Sequence, residues 1–128
     1  MKKKAATKKA TVRNNYKMLI DTKNPVAPGD GYLVEGLATP CALFKVKSVR
    51  QVKDVDYDAF EIKSIFIGQQ LQWDDRRPIE EFWLGLNAPF TAWTTGLALM
   101  VSFRNKSDEP RRFALQLVGD LSVAPSRT

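Results

Sequence analysis

Apolar residues recur at every second position in two runs near the C-terminal end of the chain. In Leu97 to Asn105 they are Leu97, Leu99, Val101 and Phe103, and in Arg111 to Gly119 they are Phe113, Leu115 and Leu117. A period of two puts these side chains on one face of a strand. The intervening Asn105-Lys106-Ser107-Asp108-Glu109-Pro110 is polar, turn-forming and closed by a proline that an interior strand does not accept. The pattern predicts a β-hairpin whose apolar face needs a second sheet to cover it. Such a hairpin is scaffold, which directs the search for partners to its outward Arg104, Arg112 and Gln116, to its charged turn and to the distant N-terminus.

Upstream, Tyr16 to Asp21 and Tyr32 to Leu37 read as short strands separated by the turn-dense segment Asn24 to Gly31. Leu43 to Lys53 places Phe44 and Val46 on one face and Val49 on the other, a change of phase that predicts a bulge near Ser48. Ala59 to Ile67 sets Phe60, Ile62 and Phe66 opposite Ile65 and Ile67. Gly68 to Phe90 has no regular period, and Pro78 to Leu86 fits either one helical turn or a short strand. Leu121-Ser122-Val123 forms a last short strand before Pro125. The connections are too short for parallel crossovers. The expected fold is therefore all-β: one antiparallel β-sandwich of about 7–8 strands, jelly-roll-like, over residues 16–128.

Met1 to Asn15 holds one large aliphatic residue beyond the initiator, Val12, too little to offset the entropy of ordering, and is expected to be a disordered arm. Charge sharpens this division. Residues 1–20 carry seven basic side chains and no acid, while the rest of the chain has 13 basic and 14 acidic residues, so the net charge of +6 belongs to the N-terminus. A chain of 128 residues is one domain by size, and no apolar run approaches the roughly 20 residues of a membrane-spanning helix. Only Met18-Leu19-Ile20 follows the lysines, so export by a signal peptide is not expected. The single Cys41 makes no internal disulfide and is expected to be a buried structural thiol. The chain has no histidine, which removes the usual imidazole base and most mixed zinc sites.

Few constellations carry chemistry. Lys2, Lys3, Lys4, Lys8, Lys9 and Arg13 would each neutralise a phosphate, giving a log–log salt slope of roughly −4 to −5 without sequence preference. Lys45, Lys47, Arg50 and Lys53 form a second basic series, in which Arg50 shares the face of the lysines only if the bulge changes the phase. Trp73, Trp83 and Trp93 read as core or rim plugs or, with Arg104 and Arg112, as anchors of a subunit contact. Asp54-Val55-Asp56-Tyr57-Asp58 lacks the glycine and glutamate of a calcium loop and reads as a solvated turn. Asp74-Asp75 and Glu80-Glu81 are adjacent pairs, which point apart on a strand. No catalytic residue, metal ligand, cofactor or small-molecule substrate is assigned, and the sequon Asn105-Lys106-Ser107 is read as chance.

The lysine-rich segment Met1 to Asn15 ahead of a compact β domain resembles the layout of small viral and phage structural proteins. The closing pattern Val101-Ser102-Phe103-Arg104-Asn105-Lys106-Ser107 and Arg111-Arg112-Phe113-Ala114-Leu115-Gln116-Leu117-Val118-Gly119 is similar to the last strand pair of small phage virion proteins. The resemblance implies a non-enzymatic capsid-type subunit, found in the virion or the host cytoplasm. Its sandwich would contact other copies, and its arm would meet nucleic acid or a neighbour. It carries over no functional residue. Two other classes fit the composition: an OB-like single-stranded nucleic-acid-binding module using Lys45, Lys47 and an exposed Trp73, and a lectin-like sandwich aided by calcium.

Overall fold

The computed structural model describes residues 11–84 and 90–125. Eight strands lie in two four-stranded antiparallel sheets: β1 (Thr11–Asp21), β2 (Gly29–Gly36), β3 (Ala42–Arg50), β4 (Phe60–Ile67), β5 (Gln70–Asp74), β6 (Trp93–Thr94), β7 (Ala98–Asn105) and β8 (Ala114–Val123). The first sheet has the order β1-β8-β3-β6 and the second β2-β7-β4-β5. The pairing is nested: β1 with β8, β2 with β7, β3 with β6, β4 with β5. Pairs β3–β8 and β4–β7 complete the sheets. Only the β4–β5 turn stays within one sheet; every other connection crosses to the other sheet.

The two C-terminal runs are strands, as their period requires, but they are not a hairpin. β7 lies between β2 and β4, and β8 lies between β1 and β3, so each is an inner strand of a different sheet. Residues 106–113 carry the chain across. The physical reason is burial: a hairpin would set the two apolar faces side by side, whereas opposing sheets set them against each other. Leu99, Val101, Phe103, Phe113, Leu115 and Leu117 are accordingly all sealed from solvent. Phe103 and Phe113 stack at 4.2 Å between ring centres, and Phe60 meets both rings edge-on at 5.6 and 5.0 Å. Such contacts add about 0.5–1.5 kcal/mol each beyond area burial.

Bulges set which residues face the core. The phase change expected near Ser48 is present, with the register of β3 against β8 shifting between Val46 and Ser48. The sequence pattern does not reveal a second bulge. The register of β4 shifts between Ile62 and Ser64, so Phe60, Ile62, Ile65 and Ile67 all point inward and Phe66 points out, against the expected grouping of Phe66 with Phe60 and Ile62. At the N-terminus, residues 11–15 belong to β1 rather than to a disordered arm, because β8 runs on to Val123 and offers them backbone partners. Leu121 to Val123 is the end of β8, not a separate strand. Gln70–Asp74 is a strand within the segment that showed no period, and Ile79–Leu84 forms a helix, α1, behind Pro78. Pro78 precedes the first turn, and Glu80 and Glu81 lie in it, where acids favour a helix start.

At one pole of the sandwich the crossings 22–28, 51–59 and 106–113 are laced together. Asn105 is the one buried polar side chain of the described core, 2% exposed. Its amide donates to the carbonyls of Val26 and Glu109, both at 3.0 Å, and its Oδ1 accepts from the Ser107 N–H at 3.0 Å and hydroxyl at 2.7 Å. Both amide hydrogens are engaged, so the sequon is not an accessible acceptor. Val26 and Arg111 exchange backbone hydrogen bonds at 2.7 and 3.0 Å. The Tyr57 hydroxyl accepts from Val52 N–H at 2.8 Å and donates to the Ala114 carbonyl, and burial pushes its pKa up.

Truncating Phe103→Ala should cost about 3–5 kcal/mol in urea unfolding, as a sealed aromatic at the meeting of both sheets; a loss under about 1 kcal/mol would contradict this packing. Glycines give a contrasting pair. A Cβ on Gly119 would lie 2.0 Å from the Lys45 carbonyl oxygen, a backbone atom that cannot yield, whereas one on Gly36 meets nothing within 4 Å. Gly119→Ala should therefore destabilise by about 3 kcal/mol or more, and Gly36→Ala should be neutral or stabilise by about 0.5 kcal/mol. Equal melting temperatures for the two variants would refute the close approach of β8 to β3.

Candidate interaction surfaces

Alternation along the first sheet turns Ile20, Phe44, Val46, Val49, Leu115 and Leu117 inward, and its other face is mixed, with Val118 on β8 and the exposed Val12 and Leu19 on β1 among polar side chains. Lys45 and Arg50 both lie on that outer face, because the bulge at Lys47 shifts the phase between them. Lys17 joins from β1 and is exposed, as is Lys47. The acid among them is Asp120 on β8, opposite Lys45. Lys47 reaches it at 3.1 Å. Asn15, at φ 56°, forms the bulge between Arg13 and Tyr16 and donates its N–H to the same carboxylate at 3.2 Å. Asparagine tolerates this left-handed conformation. The Lys47 ammonium, then the Asn15 N–H, hold the Asp120 carboxyl below its ordinary pKa. The result is a basic face with one paired acid. Arg13 is exposed on β1, an edge strand of this sheet, and Lys2, Lys3, Lys4, Lys8 and Lys9 lie outside the described residues.

The second sheet presents a different outer face. Val34 pairs with Met100, Met100 with Phe66, and Phe66 with Leu71, so one apolar row runs across all four strands. Val34 is 50% and Leu71 45% exposed. Tyr32, 69% exposed, stands on the next row beside Ser102 and Ser64. The row beyond holds Asp30, Arg104 and Glu61. Arg104, one of the anticipated contact residues, is exposed here with only a 3.9 Å approach to Asp30. This apolar row was invisible in the sequence, because it is assembled from single residues on four strands in a register that two bulges alter.

The other anticipated anchors are used internally. Trp73, 3% exposed, and Trp93, fully sealed, are core residues whose indole N–H groups donate to Pro78 O at 3.2 Å and Leu97 O at 2.8 Å. Neither can anchor a contact from inside the core, and Trp73 is not the exposed stacking platform that the OB-like alternative needs. Two separate four-stranded sheets also differ from that fold's five-stranded barrel. Trp83 is half-buried against Tyr57, 5.1 Å between rings, beside an open hollow of about 490 Å³ lined by Tyr57, Ile62, Asp75, Arg77 and Lys106. Arg112 is drawn into the laced pole, where its guanidinium forks onto both Asp21 oxygens at 2.9 Å and reaches Asp54 at 2.9 Å. Asp56 caps the Tyr57–Ala59 turn and meets Arg111 at 3.6 Å, so two carboxylates of this run, Asp54 and Asp56, are bound to arginines. Cys41 is exposed at φ 57°, against the expected buried thiol, because the turn into β3 faces solvent there.

Among the described residues no group of three or more histidine, cysteine or carboxylate side chains could hold a metal ion, and no helix is long and apolar enough to cross a membrane. No protein-family model matches the chain, and neither curated proteins nor solved structures yield a match.

The Arg112 hydrogen bonds hold the Asp21 carboxyl below its ordinary 3.8. A depressed folded pKa means that the pair stabilises the protein fully above that ordinary value, and that this contribution is lost as pH falls through the lower folded value. Asp21→Asn should lower the melting temperature at neutral pH and flatten its decline below about pH 4. A variant whose melting curve against pH runs parallel to wild type down to about pH 2 would show that the pair does not link folding to acid.

Proposed function

We propose that this chain is a jelly-roll subunit of a self-assembling particle of the viral structural kind, non-enzymatic, whose basic side contacts nucleic acid without reading sequence. The carrying observation is the difference between the two outer faces: the first sheet gathers Lys17, Lys45, Lys47 and Arg50, with apolar Val12 and Leu19 toward its β1 edge, and the second carries one continuous apolar row beside mixed charges. A subunit that lies between packaged nucleic acid and its neighbours needs two such sides.

The nested pairing of β1 with β8, β2 with β7, β3 with β6 and β4 with β5 supports the jelly-roll reading, since a long antiparallel ribbon folded over into two sheets gives that order. Viral capsid proteins, lectins and cupins share this architecture. Within that set, the chain lacks the histidines that imidazole-based metal sites use, its first-sheet face carries Lys17, Lys45, Lys47 and Arg50, and five further lysines precede β1 in sequence. Phosphate contacts from these groups position nucleic acid but carry no sequence information. The site of action would be the particle or the host cytoplasm.

Binding of the full chain to a fluorescent oligothymidylate, measured by anisotropy across a salt series, tests the nucleic-acid half of this reading. Replacing Lys2, Lys3, Lys4, Lys8 and Lys9 with Gln, and separately Lys17, Lys45, Lys47 and Arg50 with Gln, should each flatten the log–log salt slope by about 0.7 per contact removed. No binding at low salt, or a slope unaltered in both variants, would reject it. Electron microscopy of the wild-type protein with nucleic acid checks the assembly half through an ordered shell, ring or tube.

A further inference from the structure

We propose that the outer face of the second sheet packs against the same face of a second copy of this chain, about a twofold axis parallel to the strands and midway between β7 and β4. This rests on the assembly reading above and names the surface and geometry of one of its contacts.

The argument begins with the apolar row Val34–Met100–Phe66–Leu71. Its members are paired in register across all four strands, and both ends are about half exposed. Scattered apolar residues are normal on a surface, but a row spanning a whole sheet and rimmed by polar groups is the pattern of a contact. Its size sets what covers it. Three strands of eight residues and one of five, about 4.8 Å apart, give a face on the order of 450 Å². Two copies face to face would bury about 900 Å², just under the roughly 1,000 Å² of a contact that stands alone and suited to one of several contacts in a particle.

Charge then selects the partner and the axis. A twofold axis along the strands exchanges β7 with β4 and β2 with β5. Val34 then lies over Leu71 of the second copy and Met100 over Phe66 of the second copy. One row on, Ser102 meets Ser64, small polar against small polar. At the charged end Arg104 meets Glu61 of the second copy, and by symmetry Glu61 meets its Arg104. Among the described residues Arg104 has no partner closer than 3.9 Å, and Glu61 is held only by Lys63 at 3.3 Å, so both groups can turn outward. An axis running across the strands would instead lay Arg104 and Glu61 on the Gly36–Ala98 end, which has no charge to meet them. Two copies therefore match along the strands and mismatch across them. A membrane is a poorer occupant, because the charged row carries both signs beside the apolar one.

Sedimentation velocity of the full chain without nucleic acid tests the proposal, with circular dichroism as a check on folding. Wild type should dimerise with rising concentration, and Met100→Glu should raise the dissociation constant at least tenfold while leaving the spectrum unchanged. Arg104→Glu and Glu61→Arg should each weaken self-association, since each puts like charges opposite one another. An equimolar mixture of these two variants should restore a dimer, because each then supplies the charge that the other lacks. Three results would overturn the proposal. If Met100→Glu associates as tightly as wild type, the surface is wrong while the assembly reading stands. If both charge variants weaken but their mixture does not recover, the axis is wrong. If wild type stays monomeric at high concentration the contact is lost, and if nucleic acid also fails to assemble it the assembly reading falls too.

Discussion

A buried amide that must find four hydrogen-bond partners governs one pole of this sandwich. Asn105 ends β7 inside the core, where an unmade hydrogen bond costs about 1–3 kcal/mol. It is satisfied only when the crossing 106–113 turns back over it and when Val26, on the crossing from β1 to β2, comes within reach. The same turn delivers Phe113 onto Phe103 and Arg112 onto Asp21 and Asp54. Polar satisfaction and aromatic packing therefore demand the same backbone path, and that path decides that β7 and β8 end in opposite sheets.

From that constraint follow the two outer faces. Once β7 and β8 each sit inside a sheet, their inward residues are consumed by the core and their outward ones become the middle of a surface. Arg104, Ser102 and Met100 then stand in the centre of the second face, and Asp120, Val118 and Gln116 in the centre of the first. The bulges complete the division. The one at Lys47 adds Arg50 to the side of Lys45, and the one at Lys63 turns Phe66 out to join Met100. Each inserts one residue that the partner strand does not match, and so inverts the alternation beyond it. The basic and the apolar sides of the molecule owe part of their character to two single-residue insertions.

The legible parts of the chain were those in which one strand's own alternation decides the outcome. The strand at Leu43 to Lys53 and its bulge could be read because Val46 and Val49 are both strongly apolar and cannot both face in without a phase change. The alternation at Ala59 to Ile67 puts Phe66 on the wrong side, since Ile65, Phe66 and Ile67 are all apolar and the pattern there is ambiguous. Residue type alone marks Lys45 and Arg50 as candidates, whereas Lys17 enters the sequence picture only as charge. Trp73 and Trp93 have the composition of interface anchors and the location of core residues, a difference that burial decides. Arg112 has the charge of a contact residue and is held by two carboxylates about 60 and 90 positions away in sequence, beyond any local pattern.

By itself the sequence determined the class of the fold, the position of most of its longer strands, the division between a lysine-rich N-terminus and a near-neutral remainder, and the lack of histidine. These depend on residue type and on short-range period, both of which are local. Only the tertiary structure decided that the two most apolar runs face each other across the core instead of pairing edge to edge. It also decided which arginines and tryptophans are spent internally, and that Val34, Met100, Phe66 and Leu71 form one row. Those outcomes depend on which strands are neighbours and in what register, and register is set jointly by hydrogen bonding, bulges and the packing of two sheets.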